Sequence, residues 1–302
     1  MSMESTQILY DIHNGETFGT LIAIYFYLTG LSAGSFIIST LSYGFGFERF
    51  KPLGKIGIVI ATLLLAAAPM FLLAHAGQKL RVWHLFVYLN PTSPITWGSF
   101  LLMLYPLNCV VYGFFMFRGQ KRLTRTFGLI GIPLALMVHG YTGFILAFGK
   151  ARPLWNSSVM PLLFLVSAMV SGIAMMIIVS AVRDRFFTKE HALNRDILSA
   201  LARMLGWCLV FDLFLTSTEM AVHGISHLAA QESVALLLTG PFAGLFLLLE
   251  NLVGKVIPML VMLSPRTRRA VPLLLLASIL VMIGIYTMRY NVVVGGEYIP
   301  LL

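Results

Sequence analysis

Charge is scarce in this chain. Only 11% of its 302 residues are Asp, Glu, Lys or Arg, and 58% are hydrophobic, against roughly 25% charged and 45–50% apolar in soluble domains. A water-soluble fold could not cover that much apolar surface. Cysteine is nearly absent. Cys109 and Cys208 lie far apart, each within an apolar stretch, so the chain lacks the four thiolates of an iron–sulfur cluster and offers no structural zinc site. Any such metal centre has to belong to a partner. Residues 1–16 contain no Lys or Arg and carry Glu4, Asp11 and Glu16, the reverse of the positive start of a cleavable signal, so the first apolar run is expected to be kept as a helix. Sustained alternation of polar and apolar residues is also missing, which excludes the strands of about 9–11 residues that build membrane barrels.

Eight long apolar runs are present instead, at about 17–44, 56–75, 97–117, 127–148, 159–182, 197–222, 241–263 and 271–288. A span needs roughly 20 mainly apolar residues, so the expected fold is an all-α integral membrane protein of eight transmembrane helices. The cations are distributed unevenly. The loops after runs one, three, five and seven hold Arg49, Lys51 and Lys55, then Arg118, Lys121, Arg122 and Arg125, then Arg183, Arg185, Lys189 and Arg195, then Arg266, Arg268 and Arg269. The opposite side holds only Lys79, Arg81, Lys150, Arg152 and Arg289. Cytoplasmic loops retain positive charge, so the expected topology is N-out/C-out in a prokaryotic cytoplasmic (inner) membrane, with lipid around the body. The same pattern removes nucleic acid as a partner despite a net charge of +9, because the cations are divided among short loops rather than gathered on one face.

A short internal similarity, YFYLTGLSAG at Tyr25–Gly34 against LFLVSAMVSG at Leu163–Gly172, suggests two parallel four-helix bundles. The expected segments are an extracytoplasmic N-terminal stretch at 1–16, a first bundle at 17–148, an extracytoplasmic loop at 149–158, a second bundle at 159–288 and an extracytoplasmic tail at 289–302. Gly30 with Gly34, and Ala168 with Gly172, are small-xxx-small pairs that allow helix backbones to approach closely.

Polar residues within the runs are the candidates for chemistry, since they are costly in a bilayer. Asp212 and Glu219 are seven apart and share one helix face, which suits a proton relay or, alternatively, hydrogen bonding for packing. Glu250 and Lys255, five apart on an α-helix, point about 140° from each other and are expected to pair elsewhere. Glu250 lies where it could extend a route begun at Glu219. His139 and Tyr141, two apart, project to nearly opposite sides, so one pocket takes only one of them. Tyr25, Thr29 and Ser32 form a stripe on the first run. The outer stretch from His75 to Gly98 gathers Lys79, Arg81, His84, aromatics and Pro-marked turns. GKARPLWNSS after run four is similar in kind, and both read as docking surfaces or as ordinary interfacial belts around Trp83, Trp97 and Trp155.

Four of these stretches together carry a family resemblance. YFYLTGLSAGSF at Tyr25–Phe36, NPTSP at Asn90–Pro94 followed by Trp97 and Gly98, YTGF through ARPLWN from Tyr141 to Asn156, and RYNVVVGGE from Arg289 resemble the NrfD/PsrC family, the membrane subunits of polysulfide-reductase-like complexes. The resemblance implies a haem-free anchor serving anaerobic respiration. Such an anchor exchanges electrons between menaquinone or ubiquinone and an extracytoplasmic four-cluster iron–sulfur subunit, which serves a molybdopterin catalytic subunit. The family's quinone-contacting tyrosine falls on Tyr141. Its companion histidine and asparagine fall on Tyr25 and Ile22 here, a departure in which Tyr25 keeps a hydroxyl donor. The expected quinone-binding set is Tyr141, Tyr25, His84 and Arg152, and the expected proton-transfer set is Asp212, Glu219, Glu250 and Lys255. Two other classes remain open on the residues: a haem-b anchor using His75 with His139 or His223, and an ion or small-molecule transporter.

Overall fold

In the computed structural model, residues 18–77, 79–186 and 195–298 are described; the stretch 1–16 lies outside them. Among the described residues, eight helices are long and apolar enough to cross a membrane: α1 Thr20–Tyr43, α2 Lys51–His75, α3 Pro94–Phe117, α4 Lys121–Ala147, α5 Met160–Phe186, α6 Arg195–Gly224, α7 Gly244–Leu263 and α8 Val271–Tyr298. Two shorter helices sit in connections, His84–Val87 before α3 and Leu228–Leu238 between α6 and α7; neither has the length to span. There is no strand among the described residues.

The small residues singled out in the sequence explain how the helices meet. Gly34 on α1 lies against Ala168 and Gly172 on α5, so close that a side chain on either glycine would strike the other backbone. The two small-xxx-small pairs therefore face one another. Gly254 on α7 and Gly284 on α8 make a second such crossing. α1 packs on α2, α4, α5 and α8, and α5 packs on α1, α4, α6 and α8. They are also the most enclosed helices, with 72% and 61% of their apolar stretches buried. They run through the middle of the body, while α2, α3, α6 and α7 turn exposed apolar side chains such as Leu63, Met103, Phe214 and Leu260 outward, as lipid-facing helices do.

Two elements depart from the sequence reading. α8 continues to Tyr298, ten residues past the boundary expected at 288. Arg289 is therefore not a residue of an outer tail but a buried side chain of a spanning helix. The reason is local: Nη2 of its guanidinium finds acceptors inside the body and the group lies over the Phe164 ring, although Nε and Nη1 are buried without a hydrogen-bond partner, so a charge that looks like a helix end in a hydropathy profile is held within the helix. α7 departs in its winding. From Gly244 to Val256 it is a π-helix, and only Ile257–Leu263 is α-helical. With hydrogen bonds to the fifth residue back, residues five apart stack on one face.

Candidate functional site

The first candidate site lies at the end of the body opposite the basic loops, where α1 begins and α2 and α4 finish. A cavity of about 240 Å³ is walled there by Phe18, Ile22, Tyr25 and Phe26 of the α1 end, Leu72 and Ala76 of α2, Gly98 and Leu102 of α3, and Tyr141 and Ile145 of α4, among others. Its lining is apolar apart from the two tyrosine hydroxyls and Ser99. Gly98 makes the arrangement possible, because a Cβ at that position would overlap the Tyr141 ring. The ring thus rests on the α3 backbone. Tyr25 is buried, its ring against Phe26 at 5.4 Å.

His139 faces the other way, as its spacing from Tyr141 requires. It is wholly buried, and its Nε2 accepts a hydrogen bond from Arg289 Nη2 at 3.0 Å. The same guanidinium reaches Ser167 Oγ at 2.6 Å and the Phe164 carbonyl at 3.1 Å, with its central carbon 3.7 Å from the centre of the Phe164 ring.

His84 and Arg152 are not brought to this cavity. His84 stacks edge-on to Trp83 and Tyr88 at 4.1 and 5.3 Å. Arg152 donates to the Glu297 carbonyl at 3.1 Å and lies over the Trp155 ring, which fastens the ARPLWN loop to the end of α8. Trp155 completes that fastening, its Nε1 donating to the Val292 carbonyl at 2.6 Å while its ring covers Gly296. Of the first-helix stripe, Ser32 donates across to the Ala61 carbonyl at 2.8 Å and Thr29 to its own helix, so these two serve packing.

The second candidate site lies between α6, α7 and α8. Lys255 is fully buried, with its Nζ 2.9 Å from Asp212 Oδ2, 3.1 Å from Glu250 Oε1 and 3.1 Å from Thr216 Oγ1. Glu250 and Lys255 do pair within their own helix, contrary to the α-helical geometry expected of residues five apart; the π-winding is what aligns them. The other Glu250 oxygen accepts from Asn291 Nδ2 at 2.8 Å. Glu219, also buried, joins Glu250, Thr216 and Asn291 in lining a small closed cavity of about 20 Å³. Of the four proton-transfer candidates of the sequence, Asp212, Lys255 and Glu250 are thus bonded to one another, and Glu219 adjoins them across the small cavity.

Arg289, Asn291 and Thr216 were not singled out from the sequence. Arg289 and Asn291 carried a usable signal, an ionisable residue and an amide in the RYN segment directly after an apolar run, but the charge itself hid it by marking the end of the run. Of the histidines proposed for haem, His139 and His223 are otherwise engaged. His139 has its Nε2 on Arg289, and His223 has Nδ1 and Nε2 each 2.9 Å from a backbone carbonyl, of Glu219 and Pro153. Among the described residues no group of three or more His, Cys, Asp or Glu side chains could hold a metal ion.

Eight apolar spanning helices, a tyrosine-bearing cavity at one end and a buried ion network define a multi-pass membrane subunit built around polar sites enclosed by its helices. The sequence model of the family described as polysulphide reductase, NrfD, matches residues 11–300, and the chain belongs to that family, whose members are membrane subunits of oxidoreductase complexes. It is 28% identical to a selenate reductase subunit of Mesobacillus selenatarsenatis, over 94% of this chain and 75% of that one. It is 28% identical to the Hdr-like menaquinol oxidoreductase integral membrane subunit of Archaeoglobus fulgidus, over 97% and 74%. A polysulfide reductase polypeptide of Wolinella succinogenes is 26% identical, over 91% and 93%.

Proposed function

We propose that this chain is the quinone-reactive membrane anchor of a respiratory oxidoreductase, passing electrons between the quinone pool and an extracytoplasmic iron–sulfur subunit of a molybdopterin enzyme. The observation that carries this reading is the convergence of Tyr25 and Tyr141 on one mainly apolar cavity of about 240 Å³. Sites for flat organic ligands are mostly apolar with a few placed polar groups. Two phenolic hydroxyls from two helices suit a ring with two carbonyl oxygens, since each can donate to one of them. The printed name of the Archaeoglobus relative, a menaquinol oxidoreductase subunit, supports menaquinone as the substrate class, with ubiquinone as the other candidate. Tyr141 is the principal donor and Tyr25 the second. His84 and Arg152 belong instead to the outer surface on which the iron–sulfur subunit docks.

The excess of Lys and Arg in the loops after α1, α3, α5 and α7 supports an inner-membrane orientation with both termini out, as two four-helix halves sharing α1 and α5 at the centre. The tyrosine cavity then opens toward the extracytoplasmic side, next to the docked partner. Turnover of a quinone moves two protons with two electrons, and the Asp212, Lys255, Glu250 and Glu219 cluster is read as a proton route serving it.

Tyr141→Phe keeps the ring on Gly98 and removes only the hydroxyl. Quinol-dependent electron flow in membranes holding the assembled complex is expected to fall about tenfold, the equivalent of about 1.4 kcal/mol for one hydrogen bond, while flow from a dye donor to the catalytic subunit is unchanged. Full quinol-dependent flow in this variant would refute the assignment.

A further inference from the structure

We propose that the end of the body bearing the basic loops holds an anionic phospholipid, its phosphodiester on Lys51, Lys55 and Arg183 and its acyl chains in two apolar grooves beside α2. The inference is independent of the quinone reading, which concerns the opposite end of the helices.

Three observations carry it. The first is a groove of about 860 Å³ between α2, α5 and the end of α1. One wall is a graded stripe of α2. Lys51 and Lys55 stand one turn apart at its start, and Ile56, Val59 and Ile60 continue it toward the middle of the span. Val179 of α5 and Phe117 of α3 complete the apolar part, and Arg183 of α5 joins the two lysines at the rim. At about 1.5 Å per residue the stripe from Lys51 to Ile60 is about 13 Å long, close to half of the roughly 30 Å hydrocarbon core. Charge at the rim over apolar surface one leaflet deep matches a phospholipid lying along a helix.

The second is another groove, of about 360 Å³, between α2 and α3. It meets the first at Val59 and Phe117, which line both, and leads on past Thr62 and Leu63 of α2 and Val110 of α3. Val59, Leu63, Val110 and Phe117 are exposed, so this groove is open to lipid along its length. Two apolar grooves that meet below one set of cations suit the two chains of a phospholipid.

The third is charge. Glu48 is the one acidic residue lining either groove, and it pairs with Lys51 at 3.3 Å. Three cations against one anion leave the rim with an excess of two positive charges. Among the described residues neither Lys55 nor Arg183 has a carboxylate partner. Lys55 Nζ lies 5.6 Å from the centre of the Phe117 ring, and Arg183 Nη1 reaches the Pro52 carbonyl at 3.4 Å. Ammonium and guanidinium groups only donate, and charged phosphate oxygens are strong acceptors for them. Their long stems rest on apolar surface while the heads reach headgroup level, and basic sites between helix ends recognise anionic headgroups. A quinone head group is uncharged and leaves these cations unanswered.

Native mass spectrometry of the whole complex, released from nanodiscs of phosphatidylcholine with a minor share of phosphatidylglycerol, tests this. The wild type is expected to retain phosphatidylglycerol well above its share of the bilayer. Lys55→Gln should lower that retention about fivefold, and the triple variant K51Q/K55Q/R183Q should abolish the enrichment due to this site. Glu48→Gln removes the opposing charge and should retain at least as much as the wild type. Val59→Trp fills the junction of the grooves and should lower retention with no change of charge. Should the triple variant not assemble, Lys55→Gln and Val59→Trp make the same test singly. Undiminished retention in Lys55→Gln or in the triple variant, or loss of lipid in Glu48→Gln, overturns the proposal. Displacement of the lipid by inorganic phosphate overturns it by showing a site for small anions. A chemical crosslink from Lys55 to a partner subunit or to a second copy of this chain overturns it by showing that polypeptide covers the face.

Discussion

Single residues in this protein are held to their roles by what a bilayer interior does to unpaired polarity. Lys255 is the cation for two buried carboxylates, those of Asp212 and Glu250. Lys255→Met would leave both without it. Breaking a buried pair from one side costs roughly 3–5 kcal/mol, so a clear loss of thermal stability is expected in the purified protein, partly recovered when Asp212→Asn is added. Stability equal to the wild type would show that the ion cluster is not structural. Gly98 works at the same scale in the opposite sense, by having no side chain. Gly98→Ala places a Cβ in the Tyr141 ring and is expected to displace that ring from the cavity wall. Quinol-dependent flow should drop by about the same tenfold as Tyr141→Phe, while assembly with partner subunits continues. These roles were unevenly visible beforehand. Tyr141 and the four residues of the ion cluster stood out in the sequence as polar groups in apolar runs, whereas Gly98 was only a glycine after a tryptophan, with its reason lying on another helix.

Elements meet here through small residues, because apolar side chains gain little from leaving lipid for one another and close backbone approach supplies the packing instead. α1 and α5 touch through Gly34 and Gly172. Gly172→Val would push a branched side chain into the α1 backbone, at a cost of about 1–3 kcal/mol. The expected readout is a lower unfolding temperature and reduced recovery of the assembled complex, and a silent substitution would mean that the crossing is not tight. The winding of α7 is the element-scale feature that no residue pattern announced. Glu250 and Lys255 read as divergent on an α-helix and convergent on the π-helix that forms. Hydrophobic periodicity cannot distinguish the two windings in a segment that is apolar nearly all round.

The whole molecule is a set of spans whose exposed faces suit lipid and whose ends differ in charge. Moving Arg289 from an outer tail into α8 leaves the outer side with fewer cations than the sequence alone assigned it, which sharpens the asymmetry on which orientation rests. Single cysteines placed at Lys121 and at Asn90 are expected to react with a membrane-impermeant thiol reagent from opposite sides, the first only in inverted vesicles and the second only in intact cells. The reverse result would turn the tyrosine cavity toward the cytoplasm and separate it from an extracytoplasmic partner.

The number of spans, their approximate limits and the absence of cysteine-based metal centres were determined by the sequence alone, because hydrophobicity and composition are summed locally along the chain. Which acid shares a cation with which, and that Tyr25 and Tyr141 meet at one cavity, were decided only by tertiary structure. So was the continuation of α8 past a buried arginine. Each of these depends on the rotation and winding of one helix relative to another, and those are set by glycine contacts and polar satisfaction between segments distant in sequence.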